Sequence, residues 1–559
     1  MKISQPIDIL KYNKQAKSDN NETTFKNAAL LTAPFIAINR HELIGLAAID
    51  VTSMGLPRTI IDFTRNTYAG METAFREFSS TLNLSWIGLS GLLTAGLLAI
   101  PIKKKYDVDF KVITADSDTV DTFAKAFHKI VNKNPAASQK ELAEELLNTV
   151  FADVKGWAGN SKMSTSVLHS LSCENKNAIV KTLLQEIENN KKFALKGDVA
   201  YKLLAQMNFD IPSTGNLIAK IDGKELMAEG KYFINDAYSL TKAFIQKNVV
   251  EQFAGSADTA SNKFLKSFSK LAVGKTILGL TLISGIGFSI QKFNTYMTKK
   301  RTGVSGFVGD PNYKAQSANV SNDNKTQEKQ KSILPHKLVT ASVIGFFVFK
   351  TIGPKNPGDF LKKIQFKSYL PTLDQIKVVY GTTIIGRLLA ARNKDEVRET
   401  AFRDFLGFTN FLLLGALVTK LYVNWKDKSL INYDEKVHGK GFLNWIKNSS
   451  IKSPEEIINS GLKHNVIQDN KLLPVKQLFK NNWIKPEGEI AKRLSVTNTS
   501  KLIGLLYSCI ALGIAVPLIN KWITNRKTAA KSAVTIAEVQ PSQETKNKAV
   551  SEFLKASFK

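Results

Sequence analysis

Only two cysteines occur in the sequence, Cys173 and Cys509, far apart and in no CxxC pair, so it encodes neither a disulfide framework nor a cysteine zinc site. The six histidines (41, 128, 169, 336, 438 and 464) form no HxH or HExxH pattern. No GxSxG is present, and Ala272-Val-Gly-Lys-Thr276 has Ser269 where a phosphate-binding loop needs its first glycine. Gly285-Ile-Gly287 lacks the third glycine of a dinucleotide fingerprint. These absences remove the common catalytic signatures, and no cofactor or metal is expected. No short apolar core follows Met1, so no cleaved secretory signal is expected. Acidic residues are scarce too: 48 Asp and Glu stand against 77 Lys and Arg, a net charge of +29. That balance suits an anionic membrane surface or a nucleic acid. No recognition motif or basic folded face supports nucleic acid.

The sequence does contain long uncharged runs. Residues 78–102 carry no charge and end at Lys103-Lys104-Lys105, and 502–520 lie uncharged between Lys501 and Lys521. Residues 276–291 sit between Lys275 and Lys292, and 405–419 continue past Lys420 through LYVNW. About 20 mostly apolar residues cross the hydrocarbon, and terminal lysines reach outward to the headgroups. Four spans are expected, and the runs 28–38 and 338–349 are too short to assign. The intervening stretches are polar: 106–265 and 424–497 read as helical inserts, the first with a capping box at Ser138…Glu141 and the second with an N-cap at Ser453-Pro454-Glu455-Glu456. Residues 1–27 read as a polar tail, 299–336 as a disordered linker and 525–559 as a basic tail.

One heptapeptide occurs almost twice. Residues 72–78 read ETAFREF and 399–405 read ETAFRDF, an offset of 327 positions. At the same offset Arg65-Asn66 falls on Arg392-Asn393 and Asn83 on Asn410, and with two residues dropped Pro57-Arg58 meets Gly386-Arg387. A second match, at offset 226, sets Lys275 on Lys501, Gly287 on Gly513, Asn294 on Asn520 and Thr298 on Thr524. Both matches run in the same order, which reads as an internal duplication with halves at 28–298 and 337–524.

On a helix, Arg65, Glu72, Arg76 and Asn83 share one face, as do Arg392, Glu399, Arg403 and Asn410. Glu72 and Arg76, like Glu399 and Arg403, are spaced for an i,i+4 pair. A charged stripe entering an apolar run needs partners. It is expected either to lock helices together or to line a path for a solute. The fold expected is all-α: a multi-pass helical membrane protein with an internal duplication and helical polar inserts, integral to a cell or inner membrane. Two spans per half would make the repeats parallel, and three would make them inverted. The function expected is a non-enzymatic membrane scaffold or interaction protein, contacting anionic lipid headgroups through its lysine runs and protein partners through 106–265. The alternative is a transporter or channel whose polar residues line a pathway, and an intramembrane or lipid-modifying enzyme is the weakest reading.

Overall fold

A computed structural model describes residues 47, 49–157, 168–197, 199–200, 203, 216–254, 262–311, 313, 323–367, 371–410, 414–433, 435–452, 457, 467–468, 471–472 and 487–539. The chain is mostly helical. A π-helical stretch, Ile49–Gly55, leads into α1 (Leu56–Phe63), followed by α2 (Thr67–Ser85) and α3 (Ile87–Tyr106). The first insert comes next, holding α4 (Ser117–Lys133), α5 (Gln139–Val150), β1 (Val154–Trp157), β2 (Leu168–Ser170), α6 (Cys173–Asn189), β3 (Asn216–Ile221), β4 (Lys224–Glu229), α7 (Gly230–Phe244) and α8 (Lys247–Ala254). The long α9 (Lys263–Thr302) returns, and α10 (Asp323–Ile352), α11 (Pro357–Lys363), α12 (Leu373–Ala390), α13 (Lys394–Thr409) and α14 (Gly415–Lys426) follow. The second insert includes β5 (Ile431–Asn432), α15 (Glu435–His438), α16 (Phe442–Asn448), β6 (Ser450–Ile451), β7 (Ile467–Gln468) and β8 (Lys471–Leu472). The last long helix runs as α17 (Glu487–Ser508), a second π-helical stretch (Cys509–Ala515) and α18 (Val516–Val539).

Four helical stretches among the described residues are long and apolar enough to cross a membrane: Ile87–Tyr106, Lys263–Thr302, Ile333–Ile352 and Lys492–Ala530. The run 338–349, too short to assign from sequence, thus sits in a 20-residue apolar helix segment. Of the run 405–419, residues 405–409 lie in α13 and 415–419 in α14, while 411–413 lie outside the described residues. The tail 1–27, the run 28–38, the cap at Ser453–Glu456 and the tail beyond Val539 lie outside the described residues. Of the stretch 299–336 read as a linker, 299–302 belong to α9 and 323–336 to α10.

The bundle buries charged groups beside an apolar cluster that includes Ile384 and Leu388, and it exposes large apolar side chains. Arg387, Glu72 and Asp404 are 3%, 4% and 0% exposed, whereas Leu97, Phe346 and Ile510 are 70%, 63% and 62% exposed. Burial from water would drive the opposite arrangement.

The same antiparallel register occurs twice. Along α2–α3 and α9, Glu72 O accepts from Asn294 Nδ2 (2.7 Å), Ile283 O from Asn83 Nδ2 (3.2 Å) and Lys275 O from Thr94 Oγ1 (3.1 Å). Along α13–α14 and α17–α18, Glu399 O accepts from Asn520 Nδ2 (3.4 Å), Ser508 Oγ from Asn410 Nδ2 (2.9 Å), and Thr419 lies against Gly504. Each of these last helices also packs on the opposite half. A Cβ on Gly386 of α12 would stand 2.4 Å from Phe288 O of α9, and one on Gly513 would stand 2.3 Å from Ser53 O. Only glycine permits so close a backbone approach.

At one end of the bundle the chain segments around 64–66, 308, 392–399 and 521–524 meet: Asn66 Nδ2 donates to Val308 O (2.7 Å) and Lys521 Nζ to Thr64 Oγ1 (2.9 Å). Both α2–α3 and α13–α14 lead away from that end, so the two inserts leave from the other.

The first insert is a folded α/β unit rather than helices alone. Its sheet is antiparallel in the order β2-β1-β3-β4, and β3 and β4 form a hairpin over Asp222-Gly223, both with positive φ (52° and 81°). This is the type I′ turn that matches strand twist. The expected capping box forms, with Glu141 N donating to Ser138 Oγ (3.3 Å) and Ser138 N to Glu141 Oε2 (2.7 Å). Phe123, Phe127, Leu147, Phe151, Ile179 and Phe244 are fully buried in its core. Thr114, on the strap entering this unit, donates its N–H and Oγ–H to the two oxygens of Asp236, each at 2.8 Å. Burial pushes the Asp236 carboxyl up to about 7 against the pull of these bonds. Ser117 N donates to Gln365 Oε1 (2.9 Å), and Lys367 pairs with Asp116 (3.1 Å), fixing the unit to the α11–α12 connection.

Candidate functional site

Six of the eight stripe residues, Arg65, Glu72, Arg76, Arg392, Glu399 and Arg403, come together around one small cavity. Asn66 caps α2 by accepting from Ala69 N, and Asn393 caps α13 by accepting from Glu396 N, each at 2.8 Å. Satisfying a free N–H in this way starts both helices at matching places. Arg65 and Arg392 therefore sit just outside a helix, free to reach sideways.

Each arginine crosses to the other half. Arg65 Nη1 donates to Glu399 Oε2 (3.0 Å), and Arg392 Nη2 donates to Glu72 Oε1 (2.8 Å). Each also keeps a carboxylate of its own half: Asp62 for Arg65 (3.2 Å) and Glu396 for Arg392 (2.9 Å). The glutamates take further donors from the last helices, Gln291 Nε2 on Glu72 Oε1 (3.1 Å) and the Thr524 hydroxyl on Glu399. Every side chain in the two cross-pairs is 8% exposed or less. Charged pairs so deeply buried are set by desolvation, so each partner's removal leaves an uncompensated ion.

The intrahelical pairs expected from spacing do not form. Glu72 is not paired with Arg76, nor Glu399 with Arg403, because each glutamate faces the other half. Arg76 turns to Glu77 (Nε to Oε1, 3.2 Å) and Thr73 (Nη2 to Oγ1, 3.1 Å). Arg403 Nε stands 3.8 Å from Asp404 Oδ1 and donates no hydrogen bond to any described residue. Asn83 and Asn410 lie deeper and tie their own half's last helix, as above, without joining the charged cluster.

Two more arginines complete the centre, and both stood in the sequence match without being taken as site residues. Arg387 donates to Asp404 Oδ1 (2.9 Å) and to Ser80 Oγ across the halves (2.7 Å). Arg58 pairs with Glu77 (3.5 Å) and donates to Leu512 O across the halves (3.1 Å). The signal was the alignment of Arg58 on Arg387 together with Glu77 on Asp404.

The cluster encloses little space. Asp62, Arg65, Glu72, Arg76, Arg392, Glu396, Glu399 and Arg403 line a cavity of about 20 Å³, room for about one water. Four guanidiniums face four carboxylates there, so the lining carries no net charge. Phe307, Val308 and Gly309 close the mouth; the Phe307 ring lies 5.8 Å from the Arg392 guanidinium, and a Cβ on Gly309 would stand 2.6 Å from Arg65 Nη1. Among the described residues no group of three or more His, Cys, Asp or Glu is placed to hold a metal ion. Comparison with known protein families, with curated proteins and with solved structures returns no match for this chain.

Proposed function

We propose that the chain is an integral membrane protein of two related halves that works as a non-enzymatic scaffold, holding the α/β unit at 107–262 and the smaller insert at 427–486 on one side of a bilayer. The observation that carries the reading is the reciprocal pairing of Arg65 with Glu399 and Arg392 with Glu72 around a cavity of about 20 Å³. A charge-balanced centre with room for one water provides no passage for a solute and no net field to draw an ion. It does provide registry between helices, the use of interhelical polar contacts best suited to a lipid environment.

The membrane setting is supported by the buried charged groups and exposed apolar side chains of the bundle, since in lipid the polar groups must find partners within the protein. The duplication is supported by matched caps, matched antiparallel registers and reciprocal ion pairs at the aligned positions. Parallel repeats follow from the shared direction of α2–α3 and α13–α14. Trp425, 73% exposed at the end of α14 next to the second insert, suits the aromatic belt at an interface.

Reconstitution tests the scaffold reading. Proteoliposomes holding the full chain should pass halide, phosphate and potassium no faster than empty vesicles, under an imposed potential or without one. A flux that depends on protein and disappears in Arg403→Gln would replace the scaffold with a transporter or channel.

A further inference from the structure

At the insert end of α3 a cavity of about 640 Å³ opens, lined by Ala99, Ile100, Lys103, Lys104, Asp107 and Lys111. That is the size of a small-ligand site. Its lining carries three ammonium groups against one carboxylate. None of the three lysines forms an ion pair with a described residue, whereas Lys362 and Lys367 at the same end of the bundle are taken by Asp118 and Asp116. Lys105, the third in the run Lys103–Lys105, lies over the Tyr106 ring at 5.1 Å. Three exposed, unneutralised ammonium groups around a cavity call for an anion.

The apolar wall says which kind of anion. Leu93, Leu97 and Ile100 are 56%, 70% and 62% exposed and, spaced four and three apart, follow one line along α3. The line ends in the cavity, because Ile100 belongs to both. A free phosphate would use the lysines and leave this track bare. A phospholipid uses both, with its headgroup among the ammonium groups and an acyl chain along the leucines.

We infer that Lys103, Lys104 and Lys111, with the Leu93–Leu97–Ile100 track, form a discrete site for one anionic phospholipid at the insert side of the bilayer. The site rests on the membrane reading above. It differs from general attraction to a charged surface in predicting tight retention of a single lipid.

Native mass spectrometry of the full chain in detergent tests it, with phosphatidylglycerol and phosphatidylcholine as probes. The wild type should keep one phosphatidylglycerol at concentrations where phosphatidylcholine is lost. The variant Lys103→Gln/Lys104→Gln/Lys111→Gln should bind it about a hundredfold more weakly, at roughly fivefold per lysine. Leu97→Gln, which keeps every lysine, should weaken it by about tenfold. The variant Lys299→Gln/Lys300→Gln/Arg301→Gln, at the opposite end of α9, should bind like the wild type. Equal losses in the two charge variants would reduce the effect to bulk electrostatics and overturn the site. Displacement of the lipid by an equal concentration of glycerol 3-phosphate would overturn the lipid assignment. Carbonate extraction separates the two readings: release of the wild type from membranes sinks the membrane reading, while a chain that stays embedded, yet keeps phosphatidylglycerol in the triple lysine variant, sinks the site alone.

Discussion

Replacing Arg392 with methionine strips the only cation among the described residues that is hydrogen-bonded to either Glu72 or Glu396. The guanidinium lies 2.8 Å from one carboxylate and 2.9 Å from the other, and the three side chains are 8%, 4% and 6% exposed. Removing one member of a buried ion cluster costs about 3–5 kcal/mol, because the remaining charges lose their compensation. Glu72→Gln alone is milder: Arg392 keeps Glu396, and the new amide oxygen can still accept from Gln291, so the cost is about 1–3 kcal/mol. In the double variant one of the two stranded charges is gone. Its destabilisation should therefore fall short of the sum by about 2 kcal/mol or more. The cycle Arg65→Met with Glu399→Gln should show coupling of the same sign and similar size, since Arg65 sits between Asp62 at 3.2 Å and Glu399 at 3.0 Å. Unfolding in mixed micelles by increasing SDS mole fraction, followed by far-ultraviolet circular dichroism, reads each free energy. Additivity within about 0.5 kcal/mol in either cycle would mean that the cross-pairs do not act as units, and the reciprocal account of the centre would be refuted.

Further consequences are open to simpler measurements. Gly386→Ala and Gly513→Ala each push a methyl onto a backbone oxygen, at 2.4 and 2.3 Å, and each should cost about 3 kcal/mol or more, seen as loss of the monodisperse peak in size exclusion. Arg403→Met should destabilise less than Arg76→Met, by about 1 kcal/mol or more, since Arg76 makes two hydrogen bonds that Arg403 lacks; equal costs in SDS titration would contradict this. The Asp236 carboxyl, raised from 3.8 to about 7 in the fold, binds its proton more tightly there than in the unfolded chain. Its contribution is complete below the unfolded value and is lost as pH rises through about 7, so the first insert should become less stable between about pH 4 and 7. Asp236→Asn should flatten that dependence in hydrogen exchange of α7; an unchanged slope would contradict the assignment.

The repeated heptapeptide located the centre but not its pairing. Spacing alone offers Glu72 the arginine one turn on, and that inference is sound for an isolated helix. In the bundle, Arg65 and Arg392 stand outside their caps and carry the reach that Arg76 and Arg403 lack. Which arginine meets which glutamate depends on how two helices face each other, a relation that no local window contains. The sheet in the first insert is a different case. Its strands are three to six residues long and β4 reads Lys-Glu-Leu-Met-Ala-Glu, poor in β-branched residues. Even so, Asp222-Gly223 between two short apolar runs is a hairpin signal that stood in the sequence.

Sidedness tests the central claim, a membrane bundle of two parallel halves, most directly. Cys173 is already exposed on the first insert, and Lys440 and Lys300 are exposed on the second insert and at the end of α9. In a Cys509→Ala background, a membrane-impermeant maleimide is applied to sealed and to permeabilised vesicles. It reads Cys173 in the parent, and Lys440→Cys and Lys300→Cys in turn with Cys173→Ser. The account predicts that Cys173 and the thiol at 440 react from the same side and the thiol at 300 only from the other. Labelling of 173 and 440 from opposite sides, or of 300 from the same side as 173, would contradict it.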